Sequence, residues 1–167
     1  YKEARNQRNI AANKVFNLYK INPNKMQAAA LNNIARLRKE GKDRALLISA
    51  TGTGKTFLSA FDVRVVNPKR CLFIVHRGLI ARNSLKSFRQ IIDPHITMGL
   101  YTSGAKNVDA DYIFATVQTL NQEENLHAFA PDTFDYIIVD EAHRVGANTY
   151  QKILKYFRPK FLLGMTA

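Results

Sequence analysis

The sequence predicts an α/β domain in which a mostly parallel sheet is flanked by helices. Apolar runs of about five residues alternate with longer segments that have helical periodicity, the pattern of repeated strand and helix units. The runs are apolar at almost every position, which indicates strands buried on both faces, as in a parallel sheet covered by helices. With 167 residues, 46% of them hydrophobic, the chain can enclose a core of its own.

Residues 1–20 precede the predicted domain and are basic and weakly amphipathic. We expect this segment to be an N-terminal arm or a linker, and the domain to occupy residues 21–167. Because the chain begins at Tyr1 and ends at Ala167, we also expect it to be a piece of a longer protein.

A helix opens the predicted domain. Asn22 followed by Pro23 is typical of an N-cap and a first helical position, and Gly41 predicts the end of the helix. Apolar residues recur between these signals at a spacing that places them on one helical face: Met26, Ala30, Ile34 and Leu37.

Six strands and three further helices follow in alternation. The spacing of apolar residues predicts helices near residues 55–66, 78–92 and 147–157. The predicted strands are the apolar runs at residues 45–49, 71–75, 96–101, 112–116, 136–140 and 161–165. This order indicates a doubly wound sheet.

The excess of basic residues indicates which class of partner the chain could bind. The chain has 25 Lys and Arg against 13 Asp and Glu, a formal net charge of +12. Such an excess is consistent with a polyanionic partner, most often nucleic acid, and also with a basic fragment whose neighbouring domains balance the charge. No apolar run reaches the roughly 18 residues of a membrane span. A single cysteine, Cys71, excludes an internal disulfide and fits a reducing cytoplasm.

Residues 49–56 read SATGTGKT and nearly match the phosphate-binding loop G-x-x-x-x-G-K-[ST]. The match places the lysine at Lys55 and the hydroxyl at Thr56, whereas Ser49 replaces the first glycine. Lys55 can reach the β- and γ-phosphates of a nucleotide, and the Thr56 hydroxyl can bind Mg²⁺. A predicted strand before the loop and a predicted helix after it supply the context that the motif requires.

Two acids end a later predicted strand, in YIIVDEAHR at residues 136–144. Ligands of parallel sheets bind at the carboxyl ends of the strands, where Asp140 and Glu141 fall. Asp140 suits a Mg²⁺-phosphate site, and Glu141 suits a group that orients an attacking water. Combined with the loop, these acids favour an ATP site over solvated turn residues.

DEAH at residues 140–143 resembles motif II of superfamily 2 helicases and translocases, and ATGTGKT resembles motif I. Within this superfamily, the sequence most resembles the bacterial restriction-enzyme type, the family of type I and type III motor subunits. Four further segments are similar to other motifs of this family, in the same order, over about residues 22–167: NPNKMQAAAL with its glutamine Gln27, IVHRGLIARNSLKSF at 74–88, TVQTL at 116–120 and GMTA at 164–167.

The resemblance implies the first RecA-like lobe of a P-loop NTPase that moves on nucleic acid with ATP and Mg²⁺. It implies that Asp140 and Thr56 serve the metal, that Glu141, Lys55 and Asp140 are catalytic, and that His143 couples the nucleotide to nucleic acid through Thr166. By position, the nucleotide-binding residues are Gln27 on adenine and Gly52, Thr53, Gly54, Lys55 and Thr56 on phosphate.

Three residues are candidate nucleic-acid contacts: Arg77, Thr116 and Gln118. Each has an equally plausible local function, as a solvated arginine at a helix start or as a capping or turn residue. We expect DNA rather than RNA as the partner. The resemblance also implies a second RecA-like lobe, and nuclease or accessory domains, in the longer protein.

Two other functions stay open on the sequence. The first is a P-loop kinase or ATPase that acts on a small molecule, and the second is a module that docks on nucleic acid without catalysis. DEAH together with the threonine-bearing TVQTL segment disfavours the first function. The intact Lys55, Asp140 and Glu141 disfavour the second.

Overall fold

The computed structural model describes residues 21–50 and 54–167. The proposed arm at 1–20 and the loop residues 51–53 lie outside the described residues. The strands are β1 Arg44–Ile48, β2 Cys71–Val75, β3 Met98–Thr102, β4 Ala105–Lys106, β5 Tyr112–Thr116, β6 Tyr136–Asp140 and β7 Phe161–Thr166. The helices are α1 Lys25–Lys39, α2 Lys55–Val66, α3 Gly78–Ile91, α4 Val117–Leu120, α5 Glu123–Leu126 and α6 Asn148–Tyr156, with a 3₁₀ turn at Ala142–Arg144.

The strands form one sheet in the order β1-β7-β6-β2-β5-β3-β4. Every pairing is parallel except that of the short β4 with β3. The predicted mostly parallel sheet with flanking helices is therefore confirmed. Strand β4 and helices α4 and α5, which the sequence analysis did not anticipate, are only two and four residues long, too short to show a period.

The central strands are buried on both faces, as their continuous apolarity predicts. All five residues of β2 and of β5 are buried, and neighbouring residues of β2 enter opposite cores. Phe73 packs in the core under α2 and α3, where it contacts the rings of Phe88 and Phe114. Leu72 packs in the other core, under α6.

Strand β1 departs from this prediction. Its alternate residues Leu46 and Ile48 are 58% and 69% exposed, whereas Ala45 and Leu47 pack against the core. The reason is position: among the described residues β1 lies at the end of the sheet order and pairs with β7 alone, and an end strand has fewer neighbouring elements to cover its faces. One of its faces is therefore open within the described part of the chain.

The start of α1 also differs from the prediction by two residues. The N-cap is Asn24 rather than Asn22, and the helix begins at Lys25 rather than at Pro23. The Asn24 side chain accepts a hydrogen bond from the Gln27 backbone N–H at 2.8 Å, and the Gln27 side chain accepts one from the Asn24 N–H at 3.0 Å. This reciprocal capping box satisfies two N–H groups at the helix start and outweighs the Asn-Pro signal.

A buried carboxylate joins α1, α2 and β6. Asp62, which is 2% exposed, accepts two hydrogen bonds from the Arg38 guanidinium, at 2.8 and 2.9 Å. The Tyr136 hydroxyl donates a third, at 2.5 Å. Arg38 also lies over the ring of Phe161, 4.8 Å from its centroid. The hydrogen bond to Asp62 raises the pKa of Arg38, so the guanidinium stays charged at neutral pH.

No helix in residues 21–50 and 54–167 is both long and apolar enough to cross a membrane.

We predict that Arg38→Met lowers the free energy of unfolding by about 3 kcal/mol, because it leaves the buried Asp62 carboxylate without its cation. The matched control is Arg44→Met, which breaks the exposed ion pair of Arg44 with Asp43 at 3.2 Å and should change stability by less than about 0.5 kcal/mol. Urea unfolding followed by circular dichroism measures both. Equal losses in the two variants would contradict the assignment.

Candidate functional site

The candidate site lies along the edge of the sheet where the parallel strands end. The register pairs Ile48 of β1 with Thr166 of β7, and Asp140 of β6 with Met165 of β7. Strand β7 therefore lies between the strand that precedes the loop and the strand that carries the acids. The two halves of the predicted ATP site are brought to the same edge, one strand apart.

Helix α2 begins where the loop ends. Gly54, at the N-cap of α2, has φ 75° and ψ 35°, a left-handed conformation that glycine adopts without steric cost. Lys55 and Thr56 lie in the first turn of α2, where backbone N–H groups have no partner within the helix. Such a helix start attracts anions through its N–H groups and its dipole. Gly52 and Thr53 lie outside the described residues.

Gln27 lies beside this helix start. Its Oε1 completes the capping box of α1, and its Nε2 is 3.5 Å from the Gly54 carbonyl oxygen, which accepts the bond. A Cβ at position 54 would come within 3.0 Å of that Nε2 atom. The structure thus places Gln27 against the loop, and its contact with adenine stays a prediction.

Asp140 ends β6 as a half-buried carboxylate. Burial is the main reason that its pKa is raised above 3.8, while the nearby charge of Lys55 acts in the opposite direction. Its Oδ1 accepts a hydrogen bond from the Glu141 backbone N–H at 2.9 Å. Burial disfavours a negative carboxylate that has no positive charge beside it. A divalent cation bound to Asp140 would supply that positive charge, so the desolvated carboxylate suits a metal.

The described residues fit Mg²⁺ bound together with a nucleotide. They contain no cluster of three or more His, Cys, Asp or Glu that could hold a metal by itself. Mg²⁺ does not require such a cluster, because it commonly binds through one or two protein oxygens, substrate phosphates and water. Asp140 and the Thr56 hydroxyl are the protein oxygens that the sequence assigns to it.

Glu141 has a strained backbone, with φ 55° and ψ 52°. A non-glycine residue in this region costs about 1–3 kcal/mol and persists where its surroundings fix it. Its side-chain Oε2 lies 3.1 Å from His76 Nδ1 and 2.8 Å from Arg144 Nε. With this backbone conformation, the carboxylate of Glu141 points toward the end of β2, where His76 lies.

His143 and Thr166 are in contact. His143 Nδ1 lies 3.0 Å from Thr166 Oγ1, which places the 3₁₀ turn over the end of β7. Gly164 permits this approach, because a Cβ there would lie 3.0 Å from the Ala142 Cβ and 3.2 Å from Leu46 Cδ1. The contact is present, and its role in coupling stays a prediction.

Two of the three candidate nucleic-acid contacts, Thr116 and Gln118, line a polar cavity of about 420 Å³ at the ends of β3 and β5, and the third, Arg77, precedes Gly78, which also lines it. Arg77 and Gln118 are exposed. Thr116 is buried, and its hydroxyl is 2.8 Å from that of Thr119. The cavity is lined by Gly78, Arg82, Thr102, Ser103, Gly104, Thr116, Gln118, Thr119 and Gln122.

Sequence reasoning missed two residues that contact the predicted catalytic glutamate. His76 has no metal-ligand spacing in the sequence, and the sequence analysis assigns no role to His76 or to Arg144. The available signal was position: His76 directly follows β2, which pairs with β6, so the residues just beyond both strands must be neighbours.

Comparison with known proteins gives the class and the family. The fold and the site together define a P-loop nucleotide-binding lobe with a RecA-like sheet. The family model described as type III restriction enzyme, res subunit, matches residues 20–167. The chain belongs to this family, and its resemblance to the first lobe of superfamily 2 motors of the restriction-enzyme type is confirmed.

The relatives are much longer than this chain. The Type I restriction enzyme EcoAI endonuclease subunit of Escherichia coli is 34% identical over 159 residues, which cover 87% of this chain and 19% of that subunit. The chain therefore spans about a fifth of the length of this relative.

Two solved structures show the same fold. The SWI2/SNF2 ATPase core of Sulfolobus solfataricus, in complex with dsDNA, has a TM-score of 0.71 and 21% identity, over 89% of this chain and 32% of that one. The UvsW helicase from bacteriophage T4 has a TM-score of 0.68 and 20% identity, over 87% of this chain and 52% of that one. At these identities the likeness supports the fold alone.

We predict that Asp140→Asn raises the thermal midpoint of the nucleotide-free chain. A carboxyl whose pKa is raised by folding destabilises the fold at neutral pH, and the cost disappears as the pH falls through that pKa, where the group becomes neutral. Asparagine is neutral throughout and still accepts the Glu141 N–H bond. Asp132→Asn, at an exposed position, is the control. A midpoint that is unchanged or lower at pH 7 would contradict the burial argument.

Proposed function

We propose that this chain is the ATP-binding lobe of a DNA helicase or translocase, and that it hydrolyses ATP opposite a second RecA-like lobe. The observation that carries the proposal is the meeting of the α2 helix start with Asp140 and Glu141 at one sheet edge, with only β7 between their strands. Family membership favours this function over a small-molecule kinase.

The phosphates of ATP would bind at the start of α2. Lys55 would contact the β- and γ-phosphates, while the Thr56 hydroxyl and Asp140 would hold Mg²⁺. The loop residues Gly52, Thr53 and Gly54 would supply backbone N–H groups to the phosphates. The desolvated Asp140 carboxylate supports this proposal, since a bound cation offsets the cost of its burial.

Glu141 would orient the water that attacks the γ-phosphate and accept its proton. Its strained backbone supports the assignment, because strain that the surroundings maintain clusters at functional sites. The charge that develops on the transferring group would be neutralised by Mg²⁺, by Lys55 and by arginines from the second lobe. Arginines of this kind contribute roughly 10³–10⁵ in rate, so this lobe by itself should hydrolyse ATP slowly.

Gln27 would select adenine. Its amide presents one donor and one acceptor, as the adenine edge requires. In the nucleotide-free lobe both groups are engaged locally, with Asn24 and with the Gly54 carbonyl. The 3.5 Å length of the second bond supports a side chain that can exchange this weak partner for the base.

The nucleic acid would lie over the ends of β2, β3 and β5. A cavity with arginine, hydroxyl and amide groups suits phosphate contacts, which hold the strand without reading its sequence. The net charge of +12 supports a polyanionic partner, and membership of the restriction-enzyme family favours DNA over RNA. His143, through Thr166, would connect this surface with the nucleotide. Nuclease or accessory domains would accompany the two lobes.

We predict that Lys55→Ala weakens the binding of ATP with Mg²⁺ by at least about tenfold, because it removes a charge-assisted contact to phosphate. Lys155→Ala, which removes an exposed lysine of α6, should bind as the wild type does. Isothermal titration calorimetry of the three proteins measures the difference. Equal affinities for wild type and Lys55→Ala would refute the nucleotide site.

We predict that Arg77→Ala lowers the magnitude of the salt dependence of duplex binding by about one, since each neutralised phosphate adds nearly one unit to the slope of log K against log salt. Arg158→Ala is the control, because Arg158 is exposed just before β7, at the opposite edge of the sheet. Fluorescence anisotropy from about 50 to 200 mM salt gives both slopes. An unchanged slope for Arg77→Ala would exclude this contact, and equal affinity for duplex RNA would contradict the preference for DNA.

A further inference from the structure

The carboxylate of Glu141 is held by one residue at the end of β2 and by one residue of its own 3₁₀ turn. His76 follows β2 and approaches Oε2 to 3.1 Å, and Arg144 ends the 3₁₀ turn and approaches the same atom to 2.8 Å. Within residues 21–50 and 54–167, neither contact involves Oε1. One oxygen of the predicted catalytic carboxylate is therefore fixed, and the other is left to meet a water.

The two contacts offset an unfavourable placement. Oε2 of Glu141 is buried, and neither contact is a regular hydrogen bond. The backbone of Glu141 is in the left-handed region as well. A buried carboxylate oxygen without a regular bond is unstable unless nearby positive charge or donors compensate it. His76 and Arg144 are the groups that provide this compensation.

His76 also adjoins the proposed nucleic-acid surface. The next residue, Arg77, is the N-cap of α3, where phosphate is expected to bind. A cavity of about 520 Å³ is lined by both His76 and Gln118, and Gln118 also lines the polar cavity at the ends of β3 and β5. A nucleic-acid strand bound at Arg77 and Gln118 would therefore contact the segment between β2 and α3 that contains His76.

We propose that His76 is a positioning residue that sets the orientation of the Glu141 carboxylate and makes it respond to nucleic acid bound at the adjacent loop. The proposal rests on the function proposed above and extends it to a residue that does not touch ATP. Nδ1 is the atom that faces Glu141, so a side chain with a donor at the Nδ1 position should replace histidine.

The test compares three variants of His76 in the protein that contains both lobes. His76→Asn keeps an N–H donor near the position of Nδ1, His76→Gln moves the donor to the position of Nε2, and His76→Ala removes it. We expect kcat for ATP hydrolysis at saturating duplex DNA to fall roughly 10- to 100-fold in His76→Ala, as misplacement of a catalytic group does. His76→Asn should recover most of this loss and His76→Gln little of it.

Two further measurements separate positioning from a structural role. The KM for ATP and the affinity for duplex DNA should stay within about twofold of wild type, and rates without DNA should change less than rates with DNA. Arg144→Lys, a second variant at the same carboxylate, should lower kcat without changing KM. Thermal unfolding of each variant establishes that it is folded.

The outcomes distinguish the two proposals. If wild type binds no ATP by calorimetry, the proposed function fails. If wild type hydrolyses ATP and His76→Ala retains its DNA-stimulated rate, the proposed function stands and the role of His76 is overturned. Equal rates for His76→Asn and His76→Gln would also overturn the role of His76. A side chain that only packs would not depend on the position of its N–H donor.

Discussion

The bidentate bond between Arg38 and the buried Asp62 connects the three elements that carry the candidate nucleotide site. Arg38 lies on α1 with Gln27, Asp62 lies on α2 with Lys55, and Tyr136 begins β6, which ends in Asp140. By the rise per residue of helices and strands, the bonded groups lie roughly 10–16 Å along their elements from the site residues. The network thus fixes how α1, α2 and β6 pack together. None of its atoms lies at the edge of the sheet where the candidate site is.

The sequence was sufficient to predict the mostly parallel sheet, because a continuous apolar run is a local pattern. The runs that form β2 and β5 are apolar throughout and are buried throughout. The prediction was wrong for one face of β1, since its place at the end of the sheet is a property of strand order. Likewise, the contact of His76 with Glu141 depends on the pairing of β2 with β6, which no spacing along the chain expresses.

The cap of α1 shows how a local signal can be outweighed by a second local signal. Asn22-Pro23 fits a helix start, yet Asn24 and Gln27 form a reciprocal capping box two residues later. The box satisfies backbone donors that the Asn-Pro pair would leave open. It also gives Gln27 a definite orientation, with its amide nitrogen toward Gly54. The error in the helix start and the placement of Gln27 against the loop thus have one cause.

Stability and reactivity are separated in space in this lobe. At the ligand edge, Asp140 carries a carboxylate that burial disfavours, Glu141 has a left-handed backbone, and its Oε2 lacks a regular hydrogen bond. Away from that edge, Asp62 has every oxygen bonded. A bound metal, nucleotide and water would compensate the atoms of Asp140 and Glu141. The Asp62 carboxylate needs no further partner. The network that joins α1, α2 and β6 thus lies on the same elements as the candidate site and contributes none of its own atoms to that site.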